Sequence, residues 1–159
     1  FGSRAFLPPL LEASPRGPRA RAAIAMPNLV SAADGGKVLM VSSLDEGHPA
    51  DNIIDGSADT YWISTGLYPQ EILFALCGPS RVSNVKLSAT KVKSVRVEGC
   101  TEETPMNWKT LAEDRLEEVE GILQLKDLRC KDLDNATFVK VVINSGWDDF
   151  CSVHKVVIE

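Results

Sequence analysis

Ten residues, Asp51-Asn52-Ile53-Ile54-Asp55-Gly56-Ser57-Ala58-Asp59-Thr60, followed by Tyr61-Trp62, carry the side-chain types and spacing best suited to chemistry in this chain. Asn, Asp and Gly tolerate left-handed backbone and bend it through side-chain hydrogen bonds. Ile53 and Ile54, trapped between them, need a dry environment. The economical solution is a tight loop whose oxygens turn towards one point while Ile and Trp side chains anchor it to a core. Such a loop can hold a hard cation, which takes oxygen ligands at short range. The same oxygens can instead satisfy the loop's own backbone as an Asx-type turn. The Asp-x-Asp-x-Asp-Gly spacing and terminal Glu of an EF-hand are missing.

The elements that must position this loop read as strands. Short runs rich in Val, Ile and Leu fall at 37–41, 70–76, 82–89, 93–98, 121–125, 137–144 and 152–159. Several alternate at period two, such as Val85, Leu87 and Ala89 against Lys86 and Ser88, or Val95 and Val97 against Arg96 and Glu98. The run at 137–144 is apolar on both faces. Turn-forming clusters at Cys77-Gly78-Pro79-Ser80, Asp134-Asn135 and Ser145-Gly146 separate the runs. The pattern predicts an all-β sandwich or barrel of about eight strands. Residues 111–120 fit either a short helix or an edge strand with a charged outer face. Trp62 and Trp108 read as core plugs. Trp147, in Ser-Gly-Trp-Asp-Asp-Phe, reads as a loop residue, either the best candidate contact residue for a partner or a plug under the Asp51–Thr60 loop.

Composition narrows the function. A chain of 159 residues with 44% hydrophobic and 25% charged residues is most simply one domain with one core. A net charge of −5 gives no basic excess for nucleic acid. No apolar run is long enough to insert in a bilayer as a helix. Cys77, Cys100, Cys130 and Cys151 lack metal-site spacing and are expected as free thiols in a reducing compartment. Residues 1–25 hold four prolines, four arginines and one acid, and read as a disordered tail or a non-native extension. Residues 26–159 are the expected domain.

No catalytic apparatus is legible. His48 and His154 are the only imidazoles, and no nucleophile elbow, phosphate loop or zinc-protease helix accompanies them. The acidic run Glu113–Glu120 reads as a solvated face.

The order of motifs carries a resemblance. His48-Pro49-Ala50-Asp51-Asn52-Ile53-Ile54-Asp55-Gly56, Thr60-Tyr61-Trp62 and Pro69–Leu76 look like the first half of a discoidin-type, galactose-binding-like jelly roll. Val95–Glu98 with Asn107–Leu111, and then Ala136–Ile143, resemble its middle and late strands. Thr65-Gly66-Leu67-Tyr68-Pro69-Gln70-Glu71 and Trp147–His154 are similar to segments of the discoidin-like subunit of intraflagellar transport complex B. The resemblance covers about residues 37–159. It implies a non-catalytic jelly roll of the cytoplasm and cilium or flagellum, paired with a Rab-like small GTPase and with other complex B subunits. It also implies a bound calcium ion, with Asn52, Asp55 and Thr60 as ligands and Ser152 and Glu159, from the returning chain end, completing the shell. A discoidin-type module that binds carbohydrate or lipid at its loops is the alternative.

Overall fold

The structure, a computed structural model, describes residues 26–159. Seven strands follow in chain order: β1 (Lys37–Val41), β2 (Trp62–Ile63), β3 (Gln70–Thr90), β4 (Val92–Cys100), β5 (Lys109–Arg115), β6 (Gln124–Gly146) and β7 (Ser152–Ile158). The fold is the all-β jelly roll expected. The reading of residues 1–25 falls outside the described residues.

The unit that generates the sandwich is one long antiparallel ladder between β3 and β6. It starts with Gln70 opposite Ile143 and ends with Ala89 opposite Gln124. The register shifts between Ala75 and Ser80, again before Val82, and again before Asn84. Irregularities of this kind bend a strand and let it pass from one layer to another. The ladder therefore folds on itself. Its first half lies with β1, β4 and β5, and its second half lies with β7 and β2. Cys77-Gly78-Pro79-Ser80 and Asp134-Asn135 are thus corners within continuous strands, not the chain reversals that their composition suggested. Asn135 sits there at φ 55°, the left-handed conformation that Asn accepts more readily than most residues.

Alternation fills the space between the layers. Ile72, Phe74 and Leu76 from one half of β3 meet Val82, Val85 and Leu87 from the other in a single core, with Val139, Val141 and Ile143 of β6 and Val153, Val156 and Ile158 of β7. Trp62 is fully buried, as expected of a core plug. Trp108 is not in the core. It lies half-buried on the outer face of β6, where the ammonium of Lys140 stands 4.6 Å from its ring centre. The ambiguous segment 111–120 resolves as edge strand β5 through Arg115 and then a loop that is exposed apart from buried Leu116 and half-buried Val119. The run at 121–125 becomes a strand only from Gln124. Cys100, Cys130 and Cys151 are buried free thiols and Cys77 is an exposed one. Burial, with the nearby Asp132 carboxylate, pushes the Cys130 thiol up to about 11.

Folding the ladder brings both of its ends to one end of the sandwich, where Val92 pairs with Gly146 and Thr90 with Ser152. The corner lies at the other end. Most of the connecting loops, and the Asp51–Thr60 segment, gather where the ladder ends meet.

Candidate functional site

The Asp51–Thr60 loop begins as a 3₁₀ turn, Ala50–Ile53, whose Ile53 is buried beside Ile54. The apolar pair anchors the loop as its sequence required. Beyond it the chain turns at Gly56, φ 83°, and Asp55 organises the bend. One carboxylate oxygen accepts the Ser57 amide at 2.8 Å, and the other accepts the Thr60 hydroxyl. The structure thus brings Asp55 and Thr60 into direct contact. Asn52 lies across the same loop, its amide nitrogen donating to the Tyr61 carbonyl at 3.0 Å.

Ser152 reaches this loop through an intermediary. His154 Nδ1 lies 2.9 Å from the Ala58 carbonyl, which can only accept, so Nδ1 carries the proton. In the neutral ring Nε2 then accepts from the Ser152 hydroxyl at 3.0 Å, and Thr90 in turn donates to Ser152 at 2.6 Å. Both histidines also stack on Tyr61, with ring centres 4.4 Å (His48) and 4.9 Å (His154) away. His48 Nδ1 lies 3.0 Å from the Asp45 carboxylate.

Glu159 does not join this group. It stands at the opposite end of β7 from Ser152, seven residues or roughly 23 Å of extended strand away. Its carboxylate pairs with Lys86 at 2.7 Å, and its carbonyl accepts the Ser83 and Asn84 amides near the ladder's corner. One ion cannot be shared by Ser152 and Glu159, so Glu159 is corrected out of the ligand set. The remaining donors suit a hard cation, being oxygens with one carboxylate among them. Among the described residues no three His, Cys, Asp or Glu side chains converge. Carbonyl and hydroxyl oxygens would have to supply most of a calcium shell.

Neighbouring loops form a second arrangement that sequence reasoning missed. Leu67, Leu44 and Phe150 are 90%, 84% and 54% exposed, large apolar side chains standing in solvent. Buried polar groups tie their loops together. The Ser43 hydroxyl bonds Gln70 Oε1 at 2.6 Å, and Gln70 Nε2 donates to the Leu67 carbonyl at 2.6 Å. Trp62 Nε1 donates to the Ser43 carbonyl at 3.0 Å. The Cys151 amide donates to Ser64 Oγ and the Ser64 amide to the Cys151 carbonyl, both at 2.9 Å. Tyr68 adds a link from its hydroxyl to the Asp148 carbonyl at 3.0 Å, and burial pushes its phenol well above the ordinary range. It passes so close to Gly146 that a Cβ there would meet the Tyr68 hydroxyl at 2.0 Å. Trp147, the expected contact residue, is half-buried. It donates to the Leu116 carbonyl at 3.1 Å and carries the Lys93 ammonium 4.8 Å over its ring. Phe150 is the exposed aromatic of that loop.

The rim is acidic. No Lys or Arg occurs between Lys37 and Arg81, whereas Asp45, Glu46, Asp51, Asp55 and Asp59 all do, and Asp148 and Asp149 precede Phe150. An apolar residue inside a turn-rich segment, as in Thr65-Gly66-Leu67-Tyr68-Pro69, was the available signal.

No family model matches the chain. It is 33% identical over 132 residues to the intraflagellar transport protein 25 homolog of Mus musculus, covering 83% of this chain and 92% of the mouse protein. Among solved structures, it resembles a chitosan-binding module from a Paenibacillus chitosanase/glucanase, with a TM-score of 0.69 at 24% identity over 84% of this chain and 99% of the module. It also resembles the family 32 CBM from C. perfringens in complex with galactose, with a TM-score of 0.68 at 17% identity over 82% and 97%. Both structural likenesses speak to the jelly-roll fold.

Three carboxylates contribute to the acid behaviour of the domain. Hydrogen bonds from His48 to Asp45, from Lys126 to Asp114 and from Lys86 to Glu159 hold each acid below its ordinary range. A depressed acid contributes stability above its unfolded value and loses it as pH falls through its folded one. Stability should therefore be level near neutrality and decline below about pH 4. Glu159→Gln should make that acid limb shallower and cost under about 1 kcal/mol near neutrality. Urea titrations across pH read both effects; an unchanged acid limb would show that the Lys86 contact contributes nothing.

Proposed function

Because the chain belongs to the intraflagellar transport protein 25 family, we propose that it works as a non-catalytic subunit of intraflagellar transport complex B in the cytoplasm and cilium, paired with a Rab-like small GTPase and supporting ciliary cargo transport. The observation that carries this reading is the loop rim, where Leu44, Leu67 and Phe150 stand exposed on a frame of buried hydrogen bonds. Exposed apolar groups on a rigid frame favour protein docking, since little ordering entropy remains to be lost on association. The acidic surroundings favour a partner that places Lys or Arg around an apolar pocket. They oppose the anionic head groups that a lipid-binding module would have to approach.

A calcium ion in the Asp51–Thr60 loop belongs to the same reading. Asp55 would supply the carboxylate and Thr60 its neighbouring oxygen, with Asn52 and Ser152 at the periphery. The ion would take the place of the Thr60 hydroxyl hydrogen bond on Asp55, neutralise the carboxylate and stiffen the loop beside the rim, acting as a structural element.

Two experiments test these statements. Calorimetry of the purified chain with the GTPase subunit, in both nucleotide states, should give a one-to-one complex. Leu67→Ser with Phe150→Ser should weaken it by roughly thirty-fold, the expectation for removing anchors worth about 2 kcal/mol. No binding in either nucleotide state would refute the pairing, and undiminished binding by the double variant would move the interface off the rim. For calcium, chelation should lower the melting temperature of the native chain and leave Asp55→Ala unaffected. A melting temperature indifferent to both calcium and chelator would remove the ion from the account.

A further inference from the structure

The loop after β5 opens onto an apolar groove that neither the rim nor the calcium loop uses. Three hollows of about 530, 300 and 330 Å³ adjoin there. Val119 and Leu123 line both the first and the second, while Leu125 and Lys126 line both the second and the third. They form a chain of neighbouring depressions with shared walls, from Thr90 in the first to Lys86 in the third, beside the β3–β6 ladder. Ile122 and Leu125, 69% and 76% exposed, stand over it as large apolar side chains in solvent. Leu44, Leu67 and Phe150 do not line it.

The charges along this groove are unequally spent. Its lysines are committed within the fold: Lys91 to Glu118 at 3.3 Å, Lys126 to Asp114 at 2.7 Å and Lys86 to Glu159 at 2.7 Å. Each hollow, by contrast, has one exposed carboxylate, Glu120, Glu117 and Asp127 in order, and none of these three makes an ion pair among the described residues. Arg115 is the lining base that stays unpaired. The unspent balance along an apolar floor is therefore negative.

The groove is also held in shape. Buried Gln124 accepts the Val92 amide at 2.9 Å, and its Nε2 donates to the carbonyls of Val92 and Glu117, both at 2.8 Å. The Leu116 amide donates to the Lys93 carbonyl at 2.9 Å. The loop that forms the wall is thereby pinned at both ends.

We propose that this groove is a second docking surface, which takes a basic amphipathic segment of a protein partner, with Lys or Arg set between Leu- or Ile-sized side chains. Leu or Ile side chains cover Val119, Leu123 and Leu125, and the cations meet Glu117, Glu120 and Asp127. An anionic ligand is disfavoured because the lysines that would receive it are already paired. This surface is independent of the GTPase reading, and lets the domain hold two partners at once.

The probes are two short fluorescein-labelled amphipathic peptides of one pattern, one of Lys and Leu and the other of Glu and Leu, titrated with the full chain and followed by anisotropy. The Lys/Leu peptide should bind, the Glu/Leu peptide should not, and binding should weaken as salt rises. Glu117→Gln with Glu120→Gln and Asp127→Asn should cost at least roughly ten-fold, and Ile122→Ser with Leu125→Ser a similar amount. Leu67→Ser with Phe150→Ser should bind like the native chain. All of the substituted groove side chains are exposed, and circular dichroism of each variant is the check that it is folded. Absence of Lys/Leu binding up to ~1 mM, equal binding by the carboxamide variant, or loss confined to the Leu67/Phe150 variant would each overturn the proposal.

Discussion

A sandwich made by folding one ladder onto itself faces a constraint at the end where the ladder closes. Loops, strand starts and polar side chains crowd together there, and each buried donor or acceptor must find a partner or cost about 1–3 kcal/mol. The buried polar residues among those described are Ser43, Ser64, Gln70, Gln124 and Ser152. All of them lie at this end, at a strand's first residue or in the loops beside one. Ser43 and Gln70 join the loop after β1 to the start of β3. Ser64 joins the loop after β2 to Cys151, Gln124 joins β6 to Val92, and Ser152 joins β7 to Thr90. Apolar packing holds the layers together, but these bonds decide how the loops are presented.

Presentation is where the structure meets function. With its backbone bonds satisfied inward, the loop end is free to point Leu44, Leu67 and Phe150 outward. The same economy shapes the Asp51–Thr60 loop, in which Ile53 and Ile54 take the dry side and Asp55 and Thr60 face each other on the wet side. His154 closes the space between that loop and β7, with Tyr61 held between the two imidazoles. In the proposed role these features would serve docking to another protein; the relatives of this chain carry the name of an intraflagellar transport protein.

Much of this was legible in the residues, and the failures have physical causes. Alternation at Val85–Ala89 and Val95–Val97 reported the core faces correctly because each strand has one buried side. The composition of Cys77–Ser80 and Asp134–Asn135 could not distinguish a chain reversal from a corner, since both need the same backbone freedom. Trp108 shows that a large aromatic is not a core residue by size alone, because a lysine stem and ammonium can cover its face. Asp55 and Thr60 meet in the structure because a short separation in sequence survives in a tight loop. Glu159 was misplaced because only the register of β7 shows which end of the strand faces the loop. The exposed leucines escaped notice because a sequence gives hydrophobicity without the side on which it lies.

The buried polar bonds preorganise the loop end before any partner arrives. Native-state amide hydrogen exchange of the isolated chain reads this directly at Ser64, Val92 and Cys151, whose N–H groups donate into the network. The prediction is protection comparable to that of core amides such as those of Phe74 and Val141, with opening free energies close to that of global unfolding. Exchange at these three amides near the rate of an unstructured peptide, while the core stays protected, would contradict it.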